Sequence, residues 1–515
     1  MQHDSAMGTS YTTRGNLTAT SRWRKTDGAW LVTRNQYDDA GNALSSVDPR
    51  NLPTSFGYGD SWGNGACTPS GGNAAAYRTS TTNALGQTSY ATYNSCTGTA
   101  ASSKDLNSRI TAYSYDAMGR LTQTSFPDGG QMARTFNETS TPLSVTTTTT
   151  VSASPSLNMV NYLEVDGLGR SRKTELLSDP EGTDYTRTAY DSLGRKYQVW
   201  NPTRCDPDAN PSSCSGESTY GFTTYGYDAL GRPTSILQAD GSVLTTSYLG
   251  NCTTVTDEAT KSRKSCSDAA GRMTVVYEDP NGLHYETDYQ YDALNNLLTV
   301  TQQGGSTAGN WRLRSFTYDS LSRLKCAANP EVTAGLSTVL PASCPLTDTG
   351  AYTSGTIGYT YDNDDNVLTK TAPAPNQTGT ATVTTSYSYD NLNRLTQKSY
   401  SGGPATPTVQ YAYDGNVLSG CSTTPPTLSP ADQNPKSTRT AMCDGSGATS
   451  WAHDSMGRVI TEGRSINGVS GTTKYSYYLD GELNVLIYPS GSSIAYTVNS
   501  SGSNTAARML QFYQG

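Results

Sequence analysis

Polar and apolar positions alternate along short segments of this chain, and residues 227–248 show the pattern most clearly. An aromatic strand end at Tyr227 is followed by an Asp-x-x-Gly turn, a short strand rich in Thr, Ile and Leu, and a second turn at Asp240 and Gly241. Such alternation is typical of a β-strand with one face in solvent, and Asp and Gly are typical turn residues. The segment therefore predicts one antiparallel β-hairpin unit.

The same unit recurs along nearly the whole chain, so the sequence is an array of repeats. Each copy has an aspartate, a glycine three residues later and, in most copies, an aromatic residue before the aspartate and an arginine after the glycine. These copies comprise Tyr37, Asp38 and Gly41; Tyr115, Asp116, Gly119 and Arg120; Asp166, Gly169 and Arg170; Tyr190, Asp191, Gly194 and Arg195; Tyr227, Asp228, Gly231 and Arg232; Asp268, Gly271 and Arg272; and Asp454, Gly457 and Arg458.

In the second half of the chain another residue takes the glycine position. These copies begin at Tyr291 and Asp292, Tyr318 and Asp319, Tyr361 and Asp362, Tyr389 and Asp390, and, in shortened form, Tyr413 and Asp414. The replacements are mostly Asn or Asp, which tolerate a left-handed backbone best after glycine, so the turn is preserved. Degenerate copies are expected at Asn83, Asp480 and Asn499.

These repeats predict an all-β fold, in which antiparallel β-hairpins form one array over residues 1–515 without a separate catalytic or toxin domain. We expect the chain to be a fragment that starts within such an array. The threonine run 146–150 is expected to form an extended hairpin, and the Pro-rich intervals 371–376 and 422–435 to be exposed loops. No segment shows a convincing helical period.

The composition favours shallow layers over one large core. Apolar residues make up 34% of the chain, and 35 tyrosines stand against 6 phenylalanines, which suits sheets whose rings are buried while their hydroxyls stay wet. Low hydrophobicity is also a mark of disorder, but the regular turn spacing argues against that interpretation.

The charge pattern disfavours two classes of partner. A net charge of −8 with a pI near 5.0 leaves no basic stripe for nucleic acid and no polybasic patch for a membrane surface. No run of apolar residues approaches the length of a membrane span, and the N-terminal residues lack a signal-peptide pattern.

Ten cysteines fall into sequential pairs, each within an interval between repeats or around a degenerate copy. We expect disulfides between nearest neighbours, which would place the protein outside the cytosol, although free buried thiols remain an alternative. Zinc is less favoured because no CxxC motif occurs. The expected pairs are Cys67 with Cys96, Cys205 with Cys214, Cys252 with Cys266, Cys326 with Cys344, and Cys421 with Cys443.

Candidate catalytic chemistry is sparse. The chain has three histidines, His3, His284 and His453, and the last occupies the aromatic position of a repeat, so we expect a structural role for it. The acidic residues 362–366 resemble the start of a calcium loop, but they lack its glycine and distal glutamate. The repeated aspartates recur in every unit, whereas glycoside hydrolysis needs one special pair of carboxylates. We therefore predict no catalytic, cofactor-binding or metal-binding residue.

The copies at Tyr115, Tyr190 and Tyr227 closely resemble the YD repeat of bacterial Rhs proteins. Relatives of that family include the C components of insecticidal toxin complexes and the teneurin extracellular region. The resemblance implies a β-sheet strip that spirals into a hollow shell, which in toxin-bearing members encloses a C-terminal toxin. The end of this sequence lacks the family's core-terminating Asp-Pro motif, so no cleavage residues are carried over and a sealed cage is not expected from this chain alone.

Two functions follow as expectations. The first is a non-enzymatic, extracytoplasmic bacterial scaffold, part of a shell around a toxin or other cargo polypeptide used for delivery or interbacterial competition. The second is a cell-surface protein that binds carbohydrate or a receptor through exposed Tyr and Trp side chains. An enzymatic function is least favoured, because no repeat stands apart from the others.

Overall fold

The computed structural model describes residues 15–68, 70, 75–139, 141–154, 156–179, 181–206, 208, 214, 216–217, 220–304, 311–330, 344, 355–374, 381–403, 405–429, 431–497 and 511–514. The named elements in these ranges are 38 β-strands, which confirms the predicted all-β class.

The first nineteen strands are β1 (Ala19–Arg24), β2 (Ala29–Tyr37), β3 (Ala43–Val47), β4 (Pro53–Gly57), β5 (Trp62–Asn64), β6 (Ser80–Thr82), β7 (Thr88–Asn94), β8 (Ala100–Lys104), β9 (Ile110–Tyr115), β10 (Leu121–Ser125), β11 (Gln131–Asn137), β12 (Leu143–Ala153), β13 (Ser156–Val165), β14 (Ser171–Leu176), β15 (Asp184–Tyr190), β16 (Lys196–Trp200), β17 (Phe222–Tyr227), β18 (Pro233–Leu237) and β19 (Val243–Leu249).

The remaining strands are β20 (Cys252–Thr256), β21 (Ser262–Ser267), β22 (Met273–Glu278), β23 (Tyr285–Tyr291), β24 (Leu297–Gln303), β25 (Arg312–Tyr318), β26 (Leu324–Ala328), β27 (Thr356–Tyr361), β28 (Val367–Pro373), β29 (Thr382–Tyr389), β30 (Leu395–Ser401), β31 (Val409–Tyr413), β32 (Arg439–Cys443), β33 (Gly447–His453), β34 (Val459–Ile466), β35 (Val469–Tyr477), β36 (Leu483–Ile487), β37 (Ser493–Thr497) and β38 (Gln511–Gln514).

Most strands that follow each other in sequence pair in antiparallel fashion, as β17 does with β18 and β23 with β24, whereas β5 pairs in parallel with β7. The register shifts by one residue immediately before the repeat tyrosine, so that Tyr227 pairs with Pro233 next to the turn. The same shift precedes Tyr291. A bulge at this point bends the strand into the turn and sets the register of every unit.

Where consecutive strands are antiparallel neighbours, successive turns alternate between two edges of the array. The turns that follow a repeat tyrosine, such as 228–232, lie on one edge, which we call the Tyr-Asp edge. The turns between them, such as 126–130 and 238–242, lie on the opposite edge.

The chain divides into two compact units. Unit 1 comprises residues 1–57, 81–88 and 245–411, and unit 2 comprises residues 58–80, 89–244 and 412–515. Buried apolar clusters are small in both. Unit 1 contains Cys326, Ala328 and Cys344, while in unit 2 Val151 and Leu157 pack with partly buried neighbours. This agrees with the shallow layers predicted from the composition.

The threonine run lies in the longest hairpin, as predicted. Strands β12 and β13 pair from Leu143 opposite Val165 to Ala153 opposite Ser156. The prediction of an exposed loop at 371–376 was wrong for residues 371–373. These residues end β28, where Ala372 pairs with Val383, because a proline at a strand end removes no needed hydrogen bond. Residues 375–376 lie outside the described ranges.

The second Pro-rich interval carries no strand in its described residues, as expected of a loop, but it is not exposed throughout. Asn434 is only 4% exposed. Its side-chain Nδ2 donates to the carbonyl oxygen of His453 at 3.0 Å, which ties the loop to β33.

All ten cysteines form the five predicted nearest-neighbour disulfides, over sequence separations of 9 to 29 residues. Cys252 and Cys266 face each other directly on β20 and β21. No helix among the described residues is long and apolar enough to cross a membrane.

Candidate functional site

The repeat turn at Asp228 shows what the recurring residues do. The Asp228 amide donates to the Arg232 carbonyl at 3.0 Å, and Gly231, with φ of +79°, donates back to the Asp228 carbonyl at 3.0 Å. Oδ1 of Asp228 accepts the amides of Leu230 and Arg232 at 2.9 Å each, while Oδ2 accepts Nε of Arg232 at 2.7 Å. One carboxylate therefore closes the whole five-residue turn.

The other arginine-bearing copies have the same geometry. The distance from arginine Nε to aspartate Oδ2 is 2.7 Å in the turns that begin at Asp116, Asp166, Asp191, Asp268, Asp319, Asp390 and Asp454. Where asparagine replaces arginine, its Nδ2 takes over, at 2.7 to 2.9 Å from the carboxylates of Asp38, Asp292 and Asp362.

In several turns these bonds lower the pKa of the aspartate carboxyl and so favour its ionised form. The Arg120 amide, followed by its guanidinium, lowers the pKa of Asp116 although partial burial opposes it, and the Arg170 guanidinium and amide do the same for Asp166. The pKa values of Asp191, Asp228 and Asp268 are lowered by the same kind of contacts. A carboxylate whose two oxygens both accept strong hydrogen bonds is poorly suited to donate a proton.

The position three residues after the repeat aspartate keeps its backbone conformation even where glycine is replaced. Gly119, Gly169, Gly194, Gly271 and Gly457 all have φ between +75° and +82°, and Gly41 has +89°. At the same position Asn295, Ser322, Asp365 and Asn393 have φ between +61° and +68°. The left-handed turn is therefore retained whichever residue occupies this position.

The tyrosine and arginine also connect neighbouring repeats. The Arg170 guanidinium lies 4.2 Å from the ring centre of Tyr190, and the Arg195 guanidinium lies 4.5 Å from that of Tyr227. The hydroxyl of Tyr227 donates to the carbonyl of Lys196 at 2.8 Å. Each tyrosine therefore holds the residue just after the arginine of the preceding repeat, which a phenylalanine cannot do.

Later copies repeat this connection. Arg272, Arg323 and Arg458 lie 4.8 to 5.2 Å from the rings of Tyr291, Tyr361 and Tyr477. The hydroxyls of Tyr37, Tyr190, Tyr361, Tyr389 and Tyr477 donate to the backbone carbonyls of Leu17, Ser171, Leu324, Val367 and Val459. Burial raises the pKa of Tyr318, Tyr389 and Tyr477, which keeps these phenols protonated.

The shortened and degenerate copies differ in detail. Asp414, after Tyr413, binds a later segment, because its Oδ1 accepts the Ser437 amide at 2.7 Å. At the Asn83 copy the turn is as predicted, with Gly86 donating to the Asn83 carbonyl. The expected turn from Asp480 was wrong in register: it runs from Tyr478 to Glu482, since the positive φ is at Gly481. Asn499 lies outside the described residues.

Two repeat turns escaped the sequence search. Asp105 closes a turn with Arg109, and Asp257 closes one with Lys261, through the same backbone bonds. Ser108 and Thr260 occupy the glycine position there, with φ of +64° and +61°. The signal was present, because an aspartate followed four residues later by a basic residue is the pattern already accepted at Asp319.

The histidines take structural positions. Buried His453 places Nδ1 2.7 Å from Oδ2 of Asp432, and its amide donates to the other oxygen of that carboxylate. These contacts lower the pKa of Asp432 against the opposing effect of its burial. His284 lies in a turn with φ of +50° and its ring meets the Tyr277 ring edge-on. His3 lies outside the described residues.

Turns far apart in sequence meet inside each unit, and we call each such contact a seam. In unit 1 the opposite-edge segments 22–28 and 48–52 meet the Tyr-Asp turns 319–323, 362–366 and 390–394. Arg50 Nε lies 3.1 Å from Oδ2 of Asp364, and its Nη2 donates to the Asp390 carbonyl at 3.1 Å. Arg22 pairs with Asp365 at 2.9 Å. These partners are 314 to 343 residues apart.

A cavity of about 630 Å³ lies at this seam, and its lining includes Arg24, Asp27, Arg50, Asp319, Arg323 and Asp362. The charges are mutually paired: Arg24 meets Asp27 and Arg323 meets Asp319, each at 2.7 Å. Burial and the neighbouring Asp48 carboxyl raise the pKa of Asp364, while Arg50 opposes them. The residues that resembled a calcium loop thus form a repeat turn neutralised by arginines. The described residues contain no group of three or more potential metal ligands.

The seam of unit 2 has the same construction. Asn107 and Lys436 exchange two hydrogen bonds, of 3.1 and 2.8 Å, and Arg458 Nη2 lies 3.0 Å from Oδ2 of Asp128. The Leu479 amide donates to the Val151 carbonyl at 2.9 Å. The side-chain partners are 329 and 330 residues apart. In each unit the opposite edge of an early section therefore meets the Tyr-Asp edge of a later one.

Such an array of hairpins, closed by local carboxylates and joined by tyrosine hydroxyls, defines a β-repeat protein without one distinguished reactive centre among its described residues. The model of the RHS Repeat family matches residues 101–131 and 268–307. The two matched segments contain the turns at Asp116 and Asp268, so these parts of the chain resemble the RHS repeat in sequence.

Solved structures share the fold. One is a crystal structure of TcdB2-TccC3, with a TM-score of 0.68 at 14% identity over 93% of this chain. Another is a Photorhabdus luminescens Tc holotoxin pore carrying a TccC3 mutation, with a TM-score of 0.66 at 13% identity over 94% of this chain. The chain spans 27% and 29% of the length of these two structures. No curated protein sequence matches it.

Proposed function

We propose that this chain is a section of a non-enzymatic β-sheet wall, located outside the cytosol, that encloses a cargo polypeptide such as a toxin. The proposal is based on the observation that the repeat residues have the same structural role in one copy after another. Aspartate, arginine and tyrosine are engaged in closing turns and joining neighbouring repeats, in the same way from copy to copy. A wall needs the same contacts between each pair of neighbouring repeats, whereas an enzyme needs one site that differs from the rest.

Two further observations support the proposal. The fold resembles that of Tc toxin structures that are three to four times longer, as expected of one section of a larger assembly. The five disulfides favour an oxidising compartment, since cytosolic thiols are kept reduced. Enclosure by such a wall would exclude proteases and hold the cargo apart from the cell that makes it.

Limited proteolysis of the complete reading-frame product containing these residues tests the proposal. Cargo inside the wall should be cut at least about tenfold more slowly than the same cargo expressed alone, because cutting then requires opening of the wall. Arg323→Met should shorten this protection, while the matched exposed variant Arg232→Met should not. Cargo that is cut equally fast with and without the wall would overturn the proposal.

A carbohydrate-binding function stays the second candidate, favoured by one observation. Trp23 and Trp30 are 43% and 59% exposed, with ring centres 5.0 Å apart. Exposed aromatic rings are common in sugar contacts, although here the planes are tilted by 57°. Saturable binding on a glycan array that is lost in Trp30→Ala would support it, and an array without signal would end it.

A further inference from the structure

Asp364 differs from the residues at its position in the other repeat turns. In the full-length copies recognised from the sequence, the second residue after the aspartate is otherwise Leu, Met or Ala, as at Met118, Leu230 and Ala270. The Asp364 side chain is nevertheless buried, at 6% exposed. Its carboxyl is not needed to close the turn, because the Asp362 carboxylate accepts the turn amides at 2.8 and 2.9 Å.

A second carboxyl faces Asp364 across the seam of unit 1. The carboxyls of Asp48 and Asp364 lie within hydrogen-bonding distance of each other. Oδ2 of Asp364 accepts Nε of Arg50 at 3.1 Å and Nδ2 of Asn393 at 3.4 Å, whereas its buried Oδ1 meets no donor in the part of the chain that the structure describes. Ionised carboxylates can only accept hydrogen bonds, so a bond between these two carboxyls requires a proton.

The charges at this seam leave the pair short of a cation. Arg50 is the guanidinium beside Asp364, and its Nη1 also lies 3.9 Å from Oδ2 of Asp362. The carboxyls of Asp48, Asp362 and Asp364 therefore outnumber it. The remaining charged groups of the packed segments pair among themselves, as Arg22 with Asp365, Arg24 with Asp27, Arg323 with Asp319 and Asp365, and Arg394 with Asp390.

The turn that contains Asp48 does not need an ionisable residue either. Oδ1 of Asp48 accepts the backbone amides two and four residues later, at 2.9 and 2.8 Å. Oδ1 of Asn83 accepts the corresponding amides of its own turn at 3.0 and 3.1 Å. Because a neutral side-chain amide closes the same kind of turn, the acidic character of Asp48 serves a contact outside that turn.

We propose that Asp48 and Asp364 share one proton and form an acid-stabilised clasp across the seam of unit 1. With the proton in place, one carboxyl donates to the other, and a single negative charge of the pair remains beside Arg50. When the proton leaves, two buried carboxylates face each other and the seam loosens. The proposal concerns the chain itself and does not depend on the enclosure of a cargo.

The direction of the pH effect follows from the surroundings of Asp364. Burial, followed by the hydrogen bond with Asp48, raises the pKa of Asp364, while Arg50 and Asn393 oppose the rise. The stabilisation is therefore complete below the ordinary aspartate pKa of about 4 and is lost as the pH rises through the raised value. The exposed turn at Asp228 behaves in the opposite way, because its pKa is lowered.

Hydrogen exchange at two pH values tests the clasp. After correction for intrinsic exchange rates, the protection of residues 48–52 and 362–366 should fall at least about threefold between about pH 4.5 and about pH 8. Asp364→Asn and Asp48→Asn preserve the side-chain shape and supply a permanent N–H donor, so either variant should keep the acid level of protection at both pH values. The exposed turn 228–232 is the control and should change little, because Asp228 titrates below this range.

Three results would overturn the proposal, provided that unchanged protection of turn 228–232 shows the variants to be folded. Protection of the two seam segments that does not respond to pH would show that no proton is shared. A fall that persists in both variants would assign the pH dependence to another group. Calcium chloride that restores protection at about pH 8 in the chelator-treated wild type, but not in Asp364→Asn, would show that the pair holds a divalent cation instead.

Discussion

Two repeat turns share one geometry but lie in different surroundings. In both Asp228–Arg232 and Asp319–Arg323 the aspartate Oδ2 lies 2.7 Å from the arginine Nε. The side chains of the first pair are 23% and 44% exposed, whereas those of the second are 1% and 10% exposed. The two turns therefore have the same hydrogen-bond geometry. The aspartate–arginine pair that is buried in a seam contributes differently to stability from the exposed pair, because its charges are shielded from water.

Arg323→Met should have the largest effect. It leaves the Asp319 carboxylate buried without its cation and removes the bonds of Arg323 to the Asp362 carbonyl and to Asp365. Loss of one partner of a buried ion pair costs about 3 to 5 kcal/mol. Hydrogen exchange of peptides from β25 and β26 should report the loss. Arg232→Met is the matched control, and an equal acceleration of exchange around Asp228 would break the comparison.

Removal of the Cys326–Cys344 disulfide, as C326A/C344A, should come next. Both cysteines are buried, Cys326 lies in β26 shortly after Arg323, and their separation of 18 residues predicts a cost of about 3 kcal/mol. The control is C252A/C266A, whose strands already pair directly through their backbones, so a smaller shift of the denaturation midpoint is expected. Equal shifts of the denaturation midpoint would show that the buried Cys326–Cys344 disulfide stabilises the fold no more than the Cys252–Cys266 disulfide does.

Exchanging the residues at the left-handed position should have a smaller effect. Gly231→Ser introduces a side chain at φ of +79°, where space is available, so only the backbone strain of about 1 kcal/mol is expected. The reverse change, Ser322→Gly, should raise the denaturation midpoint slightly or leave it unchanged. A midpoint that falls markedly in Ser322→Gly would show that the serine side chain itself supports the seam.

The smallest effect concerns pH at the exposed turn. Because the pKa of Asp228 is lowered in the fold, its stabilising contribution is complete above the ordinary aspartate pKa and is lost as pH falls through the lowered value. The hydrogen-exchange protection of this turn should therefore decline as the pH falls below about 4, the ordinary pKa of an aspartate. Asp228→Asn should flatten that decline, and an unchanged pH profile in the variant would contradict the assignment.

The local parts of this architecture were predictable from the sequence. Asp228 and Arg232 are four residues apart, so one short segment contains all the residues that form the turn. The disulfides were predictable for a similar reason, because each joins two cysteines that are nearest neighbours in the sequence. The seams were not predictable, since Arg50 and Asp364 are 314 residues apart and neither local sequence indicates its partner. The sequence did not reveal the turns at Asp105 and Asp257, and it placed the turn at Tyr478 in the wrong register. In each case the position of the turn depends on which residue adopts the positive φ.

The long offset of the seams has a consequence for the order of folding. Hairpins can close as soon as each pair of strands has been synthesised, because their contacts lie within one or two repeats. Arg50 must wait for Asp364, 314 residues later, which corresponds to about 16 to 60 s at about 5 to 20 residues synthesised per second. During that interval the early edge stays bare, so a nascent chain should be most vulnerable to aggregation and chaperone capture before its first seam closes.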